Sequence, residues 1–250
     1  MPRDFDKDSE EALRKGLFIT GTDTGVGKTV VAATLAYALR QRRIGFSYLK
    51  PVETGIGSQE HLRNDSDAAL VKKAGGLSRP LERIVPFTFR EPLAPLLAAR
   101  RQGIELTADR LLETVTGLCR ENGPTLVEGA GGLLAPLCPG YLVLDLIRDL
   151  GFPVLVVSRT GLGAVNHSLL TLDRLRRENL KTVGLVANHF SSRPGIAERE
   201  FISQLKEFDP VEIIGELPLQ ESPPVSDREW DDLARHLDID SLIRLISDSR

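Results

Sequence analysis

The stretch "GLFITGTDTGVGKTVVAATLAYAL", residues 16–39, decides the fold, because an apolar strand, a glycine-rich loop and a helical pattern follow one another in it. That order is typical of a phosphate-binding loop, whose usual pattern is a glycine, a short spacer and then Gly-Lys-Ser/Thr. In this chain the position of the first glycine holds Thr22, and the glycine lies one residue earlier, at Gly21. Since Gly21 can still form the turn out of the strand, the stretch predicts a variant phosphate loop.

The residue types of this loop suit the phosphates of a nucleoside triphosphate. Glycine leaves room for backbone N–H groups to converge on phosphate oxygens, and the N-terminus of the following helix adds partial positive charge. Lys28 is expected to reach the β- and γ-phosphates, and the hydroxyl of Thr29 is a hard oxygen ligand that suits Mg²⁺. The loop therefore predicts a nucleotide site that uses Mg²⁺.

Short apolar runs alternate with helical patterns along the rest of the chain, which is typical of βαβ units. Several runs are apolar throughout, as in parallel strands that are buried on both faces. The sequence therefore predicts an α/β fold with three layers, in which a mainly parallel sheet of about seven strands is flanked by helices, as in P-loop NTPases. Residues 1–15 are predicted to form a charged arm and residues 16–250 a single domain. The predicted strands are 17–20, 46–50, 84–89, 125–129, 153–158, 182–188 and 212–218.

The bulk composition excludes several classes of function. The chain has 250 residues and a formal net charge of −3, so no overall charge attracts it to nucleic acid or to an anionic membrane. No apolar run reaches the ~20 residues that a membrane-spanning helix needs. The charged, partly acidic start lacks the apolar region of a secretory signal. We therefore expect a cytoplasmic protein that binds neither nucleic acid nor membrane.

Three charged positions follow predicted strands and could complete a nucleotide site. Parallel α/β sheets bind ligands at the carboxyl ends of their strands. Lys50 closes the second strand and could be a solvated strand end, but Pro51, Thr54 and Gly55 after it favour a second cation near the phosphates. Glu128 ends a buried strand, where a carboxylate is costly unless it is paired or bound to metal. In "RNDSDA", Asp67 and Asp65 are alternative metal ligands, and Asp67 could instead only stabilise the helix dipole.

Together these motifs resemble the dethiobiotin synthetase family. "GTDTGVGKT", "KPVETG", "RNDSDA", "VEGAGG", "VNH" and "VAN" occur in the order and rough spacing of that family, from about residue 16 to about residue 220. The family has the same displaced first glycine. The resemblance implies an ATP-dependent cyclo-ligase of biotin biosynthesis. Its substrates would be ATP, CO₂ and 7,8-diaminononanoate, and the reaction would pass through a carbamate and a phosphorylated carbamate before the ureido ring closes.

The resemblance also assigns roles to particular residues. Lys50 and Lys28 would be the catalytic cations. Mg²⁺ would be bound by Thr29, Asp67 and Glu128. The substrate would contact Thr54, Gly131 and Asn166. Contacts with ATP are implied for Thr24, Gly25, Val26, Gly27, Lys28, Thr29, Asp67, Glu128, Gly129, Ala130, Gly131, Asn188, Leu217, Pro218 and Leu219.

The resemblance also implies a homodimer whose substrate site includes residues of both subunits. In that arrangement Asn166 would act across the interface, at a helix N-terminus that receives the distant carboxylate of the substrate. Alternatively, Asn166 caps a helix and His167 is a surface histidine.

A different class of protein remains as an alternative, namely switch-type P-loop ATPases that bind a protein, DNA or membrane partner. Those ATPases carry a lysine two residues after the position of Gly21, and this chain has Asp23 there. The C-terminus also lacks a basic amphipathic membrane helix.

Overall fold

The predicted phosphate loop follows the first strand, β1 (Gly16–Gly21), which is an inner strand of a six-stranded parallel sheet. The structure is a computed structural model, and it describes residues 15–56, 66–121, 123–190, 193–220 and 222–247. Each neighbouring pair of strands in this sheet is parallel. The carboxyl ends of all six strands therefore lie at the same edge. In spatial order the strands are β10 (Ile213–Pro218), β9 (Thr182–Phe190), β8 (Val154–Arg159), β1, β5 (Thr125–Gly132) and β2 (Ser47–Leu49).

Two further pairs of strands lie outside this sheet. β3 (Val52–Thr54) pairs in parallel with β4 (Phe87–Phe89), and β6 (Pro136–Cys138) pairs antiparallel with β7 (Tyr141–Leu142). The predicted strand 84–89 is thus wrong as a member of the main sheet, since only its last three residues are extended and they pair with β3. Periodicity identifies an apolar run but not the sheet that the run joins.

The helices cover both faces of the main sheet, which confirms the three-layer α/β architecture. Within the described ranges the helices are α1 (Lys28–Gln41), α2 (Asp67–Gly75), α3 (Leu81–Ile84), α4 (Pro95–Arg101), α5 (Ala108–Arg120), α6 (Val143–Leu150), α7 (Ala164–Arg177), α8 (Ile196–Phe208), α9 (Asp227–Ala234) and α10 (Ile239–Ser247). One buried cluster lies on the face of the helices from α4 to α8, and the other lies on the face of α1, α2, α9 and α10.

The last two helices pack against α1, the helix that follows the nucleotide loop. Tyr37 on α1 stacks on Trp230 of α9 with a distance of 6.3 Å between ring centroids, and its hydroxyl donates to a carboxylate oxygen of Asp231 at 2.9 Å. Near Gly215 the chain that joins α9 to α10 forms an antiparallel bridge to the edge strand β10. In the described ranges every helix is too short or too polar to cross a membrane.

Candidate active site

The loop between β1 and α1 adopts a backbone that only glycine accommodates without strain. Gly25 and Gly27 have φ angles of 73° and 93°, a region that side chains disfavour. A Cβ at Gly21 would lie 2.7 Å from a methyl group of Val26 and 2.9 Å from the carbonyl oxygen of Asp23. The first turn of α1 has no side-chain cap and no acidic residue. Its free N–H groups therefore suit an anion.

Two side chains hold this loop in shape from below. The Lys28 ammonium is buried and donates to the carbonyl oxygen of Asp23 at 3.1 Å. Burial lowers the pKa of Lys28, and nearby Glu128 partly offsets that effect. The amide nitrogen of Asn188, at the end of β9, donates to the carbonyl oxygen of Val26 at 2.9 Å. The loop is thus tied both to its own helix and to β9, which is separated from β1 by one strand.

A charged cluster lies beside the loop and brings together residues that are far apart in the sequence. The Lys50 ammonium contacts a carboxylate oxygen of Glu128 at 2.9 Å and also pairs with Asp67. The hydroxyl of Thr29 donates to the same oxygen of Glu128 at 2.8 Å. Burial lowers the pKa of Lys50, but the two carboxylates outweigh it and the net pKa is raised. Lys50 therefore stays charged, and it holds the pKa of Asp67 below its ordinary value despite partial burial.

Tyr48 belongs to this cluster although the sequence reasoning missed it. Its buried hydroxyl donates to the second carboxylate oxygen of Glu128 at 2.7 Å. Burial, followed by the charge of Glu128, raises the pKa of Tyr48 well above its ordinary value, so the hydroxyl keeps its proton. The available signal was the spacing, because Tyr48 and Lys50 are two residues apart near the end of a strand and project to the same side.

Glu53 is a third carboxylate at this site, and the sequence reasoning missed it as well. It is buried, and one of its oxygens accepts the backbone N–H of Asp67 at 2.7 Å. The other oxygen has no hydrogen-bond partner among the described residues. Burial raises the pKa of Glu53 to about 7, and Lys50 partly opposes that shift. Its place within "KPVETG", between Lys50 and Thr54, was the available signal.

A cavity of about 690 Å³ opens between the loop and the charged cluster. Its polar wall includes Lys28, Lys50 and Thr54, and its apolar wall includes Val52 and Leu93. The same cavity is lined by a run of small residues at the end of β5, where bulky side chains would narrow it. That run is Gly129, Ala130 and Gly131.

The oxygen atoms of the cluster suit Mg²⁺ better than a metal that prefers nitrogen or sulfur ligands. The described part of the chain has no group of three or more His, Cys, Asp and Glu residues arranged to hold a metal ion. The predicted set instead combines one hydroxyl, Thr29, with the carboxylates of Asp67 and Glu128. Proteins commonly bind Mg²⁺ through one or two carboxylates together with substrate phosphates. The alternative ligand Asp65 lies outside the described residues.

The remaining predicted contact residues lie away from the lining of this cavity. Asn166 is exposed in the first turn of α7, and Asn188 is buried beneath the loop. Of the segment at the end of β10, Leu217 is fully buried in the core, whereas Pro218 is half-buried and Leu219 is exposed. Because β9 and β10 end at the same edge of the sheet as β1, Asn188 and the segment from Leu217 to Leu219 lie at the edge of the sheet where the loop lies.

Known proteins with a similar sequence include ATP-dependent enzymes. A family model described as an AAA domain matches residues 15–223. The ATP-dependent dethiobiotin synthetase BioD of Anaeromyxobacter dehalogenans (strain 2CP-C) is 46% identical over 174 residues, which is 70% of this chain and 76% of that protein. The protein of the same name from Thermodesulfovibrio yellowstonii is 34% identical over 241 residues, which is 93% of this chain and all of the relative.

Solved structures with a similar fold share far less of the sequence. A chain of the MinC:MinD cell division protein complex of Aquifex aeolicus superposes with a TM-score of 0.55 at 15% identity and covers 93% of this chain and 95% of its own. A ParA family ATPase from Chlorobium tepidum TLS gives 0.52 at 10% identity, with 94% and 95% covered. At such identities the likeness establishes the fold alone, which is that of P-loop ATPases.

Proposed function

The chain belongs to the ATP-dependent dethiobiotin synthetase family, and from that membership we propose how its site performs the ring closure. The substrates are ATP, CO₂ and 7,8-diaminononanoate. One amine of the diamine attacks CO₂ and loses a proton, which gives a carbamate. A carbamate oxygen attacks the γ-phosphorus and ADP leaves. The second amine then attacks the carbamate carbon, loses a proton and displaces phosphate, which closes the cyclic urea of dethiobiotin.

The observation that carries this proposal is the pair of buried ammonium groups at one cavity. Lys28 and Lys50 both line it, and each is less than 10% exposed, at 7% and 5%. A carbamate and a γ-phosphate are both anions, so they repel each other unless cations lie between them. In a site that excludes water, fixed positive charge stabilises the phosphoryl group in transfer more strongly than water does.

Each side chain then has a separate task in the reaction. Lys28 and the free N–H groups of α1 hold the β- and γ-phosphates. Lys50 neutralises the carbamate and the moving phosphoryl group. The hydroxyl of Thr54 forms a hydrogen bond with the diamine. The apolar wall beside Leu93 packs against the methylene chain of the diamine. The small residues Gly129 to Gly131 let the carbamate approach the γ-phosphate closely.

We assign Mg²⁺ to Thr29, Asp67 and Glu128. When bound there, the ion would supply positive charge for the phosphate oxygens as the phosphoryl group leaves ADP. Glu128 is completely buried, and a buried carboxylate is costly without a cation. Lys50 already meets part of that need, and a metal ion would share the two carboxylates with it.

We further propose that the active form is a homodimer in the cytoplasm. Asn166 is exposed near two exposed leucines, Leu162 at 98% and Leu170 at 62% exposure, and an interface would bury these side chains. Asn166 of one protomer would then contact the substrate in the site of its partner. The adenine would lie near Asn188 and the segment from Leu217 to Leu219.

The decisive experiment measures ADP and product together. Purified protein with ATP, Mg²⁺ and bicarbonate should release ADP at a low rate, and the diamine should raise that rate. Mass spectrometry should detect dethiobiotin in an amount that matches the ADP released because of the diamine. A rate of ADP release that is unchanged by the diamine but is raised by DNA or lipid vesicles would contradict the proposal and favour a switch ATPase.

A further inference from the structure

Glu53 is a buried carboxylate to which the proposed reaction assigns no task. It lies on β3, between the catalytic Lys50 and the proposed substrate contact Thr54, and it is 5% exposed. One of its oxygens is buried without a partner among the described residues. Burying a carboxylate is expensive, and Glu53 also repels the carboxylates of Asp67 and Glu128. A residue with these costs requires a specific explanation.

Within the described ranges, the one hydrogen bond of its carboxylate indicates where Glu53 acts. Its Oε1 accepts the backbone N–H of Asp67 at 2.7 Å. Asp67 is the first residue of α2, so its N–H has no partner inside the helix. The helix has its own cap at Ser66, whose hydroxyl accepts the N–H of Ala69 at 3.1 Å. Glu53 thus adds a second, tertiary attachment at the residue that carries the carboxylate.

The Asp67 carboxylate pairs with Lys50, but it is more exposed than the other charged groups of the cluster. Its side chain is 52% exposed, whereas the side chains of its partner Lys50 and of Glu128, the other carboxylate that pairs with Lys50, are 6% and 0% exposed. Little packing therefore restrains it on the solvent side. The hydrogen bond that the N–H of Asp67 donates to Glu53 fixes the backbone of Asp67 relative to β3, the strand that begins two residues after Lys50.

We infer that Glu53 is a positioning residue, which holds Asp67 at the correct distance from Glu128 and Thr29 to share one divalent cation. The inference rests on the proposed function, because that function assigns the metal to these three residues. Groups that orient metal ligands commonly change metal affinity by about 10- to 100-fold when they are removed. The role depends on the acceptor oxygen of Glu53 and not on its negative charge.

Two substitutions of similar size separate the acceptor from the charge. Glu53→Gln keeps an oxygen that can accept the N–H of Asp67 and removes the charge. Glu53→Met removes both and keeps the length and the buried volume of the side chain. With ADP present, Mn²⁺ binding to each purified chain is measured by the electron paramagnetic resonance signal of free Mn²⁺. This readout does not require ring closure, so its result is independent of whether the diamine is the substrate.

We expect Glu53→Met to weaken Mn²⁺ binding by about tenfold and Glu53→Gln to stay close to the unchanged chain. ADP binding without metal should be the same in all three chains. Equal loss in both variants would overturn the inference, since charge would then be the cause. Unchanged Mn²⁺ binding in Glu53→Met would overturn it as well.

Ser66→Ala is the matched control for a purely structural effect. It removes the cap of the same helix but leaves the N–H of Asp67 bonded to Glu53. We expect a lower melting temperature and unchanged Mn²⁺ binding. If Ser66→Ala weakened Mn²⁺ binding as much as Glu53→Met, any loosening of α2 would suffice and the specific role of Glu53 would be wrong.

Discussion

At the scale of single residues, the pair of Lys50 and Glu128 dominates the site energetically. Both side chains are almost completely buried, and the distance between the ammonium and the carboxylate is 2.9 Å. Removing one partner of such a pair leaves an uncompensated buried charge, which commonly costs about 3–5 kcal/mol. The same cation lines the cavity where we propose that the phosphoryl group moves. Under that proposal, stability and catalysis depend on one side chain.

Lys50→Met tests both consequences. We expect the free energy of unfolding, measured in urea with a metal chelator, to fall by about 3 kcal/mol or more. Turnover of the diamine should fall by at least about 100-fold, because the loss of one preorganised group that stabilises the transition state has effects of that size. ATP binding should be retained through Lys28 and the loop. Turnover close to that of the unchanged chain would rule out the assigned role.

Lys72→Met is the matched control for the loss of a lysine. Lys72 is half-buried on α2, and its ammonium donates to the carbonyl oxygen of Leu77 at 2.8 Å. The change removes backbone hydrogen bonds away from the cavity. We expect lower stability but unchanged turnover, so that a lost ammonium as such is separated from the loss of Lys50.

At the scale of elements, the unusual position of the first glycine has a steric explanation. Gly21 ends β1 with its Cα facing Val26 and the carbonyl of Asp23, and a Cβ there would also lie 3.1 Å from the Lys28 ammonium. A glycine is therefore required where the strand enters the loop. At Gly25 the requirement is different, because space is open but φ is 73°.

Gly21→Ala and Gly25→Ala form a matched pair at this scale. The first should displace the loop and Lys28, and since overpacking costs about 1–3 kcal/mol, we expect ADP affinity to fall by about tenfold or more. The second meets no atom of the protein and adds backbone strain of about 1 kcal/mol. Calorimetric titration with ADP compares them. A larger loss of affinity in Gly25→Ala than in Gly21→Ala would contradict this explanation.

At the scale of the whole molecule, the C-terminal helices pack against α1, the helix that follows the phosphate loop. The sequence resemblance ends at about residue 220, yet α9 and α10 contribute buried side chains to the same core cluster as α1. Trp230 is 5% exposed and stacks on Tyr37. The helix that begins with Lys28 is thus held between the main sheet and the end of the chain.

Trp230→Ala measures that support. Truncation of a buried tryptophan commonly costs about 3–5 kcal/mol, and we expect a loss of that size in the free energy of unfolding. ADP affinity at low temperature, where the chain stays folded, should change little. Phe208→Ala is the control, because its side chain is 73% exposed and its loss should alter stability by about 0.5 kcal/mol or less. Equal losses for the two variants would refute the stated role of α9.

The sequence by itself determined the features whose parts are contiguous. Strand, glycine loop and helix form one continuous stretch, so the α/β fold and the phosphate loop followed from it, and the combined motifs indicated the family. The separate pairing of β3 with β4 did not follow from the sequence, because an apolar run does not specify which sheet it joins.

Only the tertiary structure decided which charged residues meet. Glu128 is brought to Lys50 and Thr29 by the pairing of β5 with β1 and β2, and pairing between strands distant in sequence depends on the packing of the whole core. The hydrogen bond that Tyr48 donates to the carboxylate of Glu128 and the one that Glu53 accepts from the backbone N–H of Asp67 likewise join residues that lie apart in the sequence. The spacing of Tyr48 and the place of Glu53 within "KPVETG" do not specify these partners, because a hydrogen bond to a neighbour in space leaves no periodic signal in the sequence.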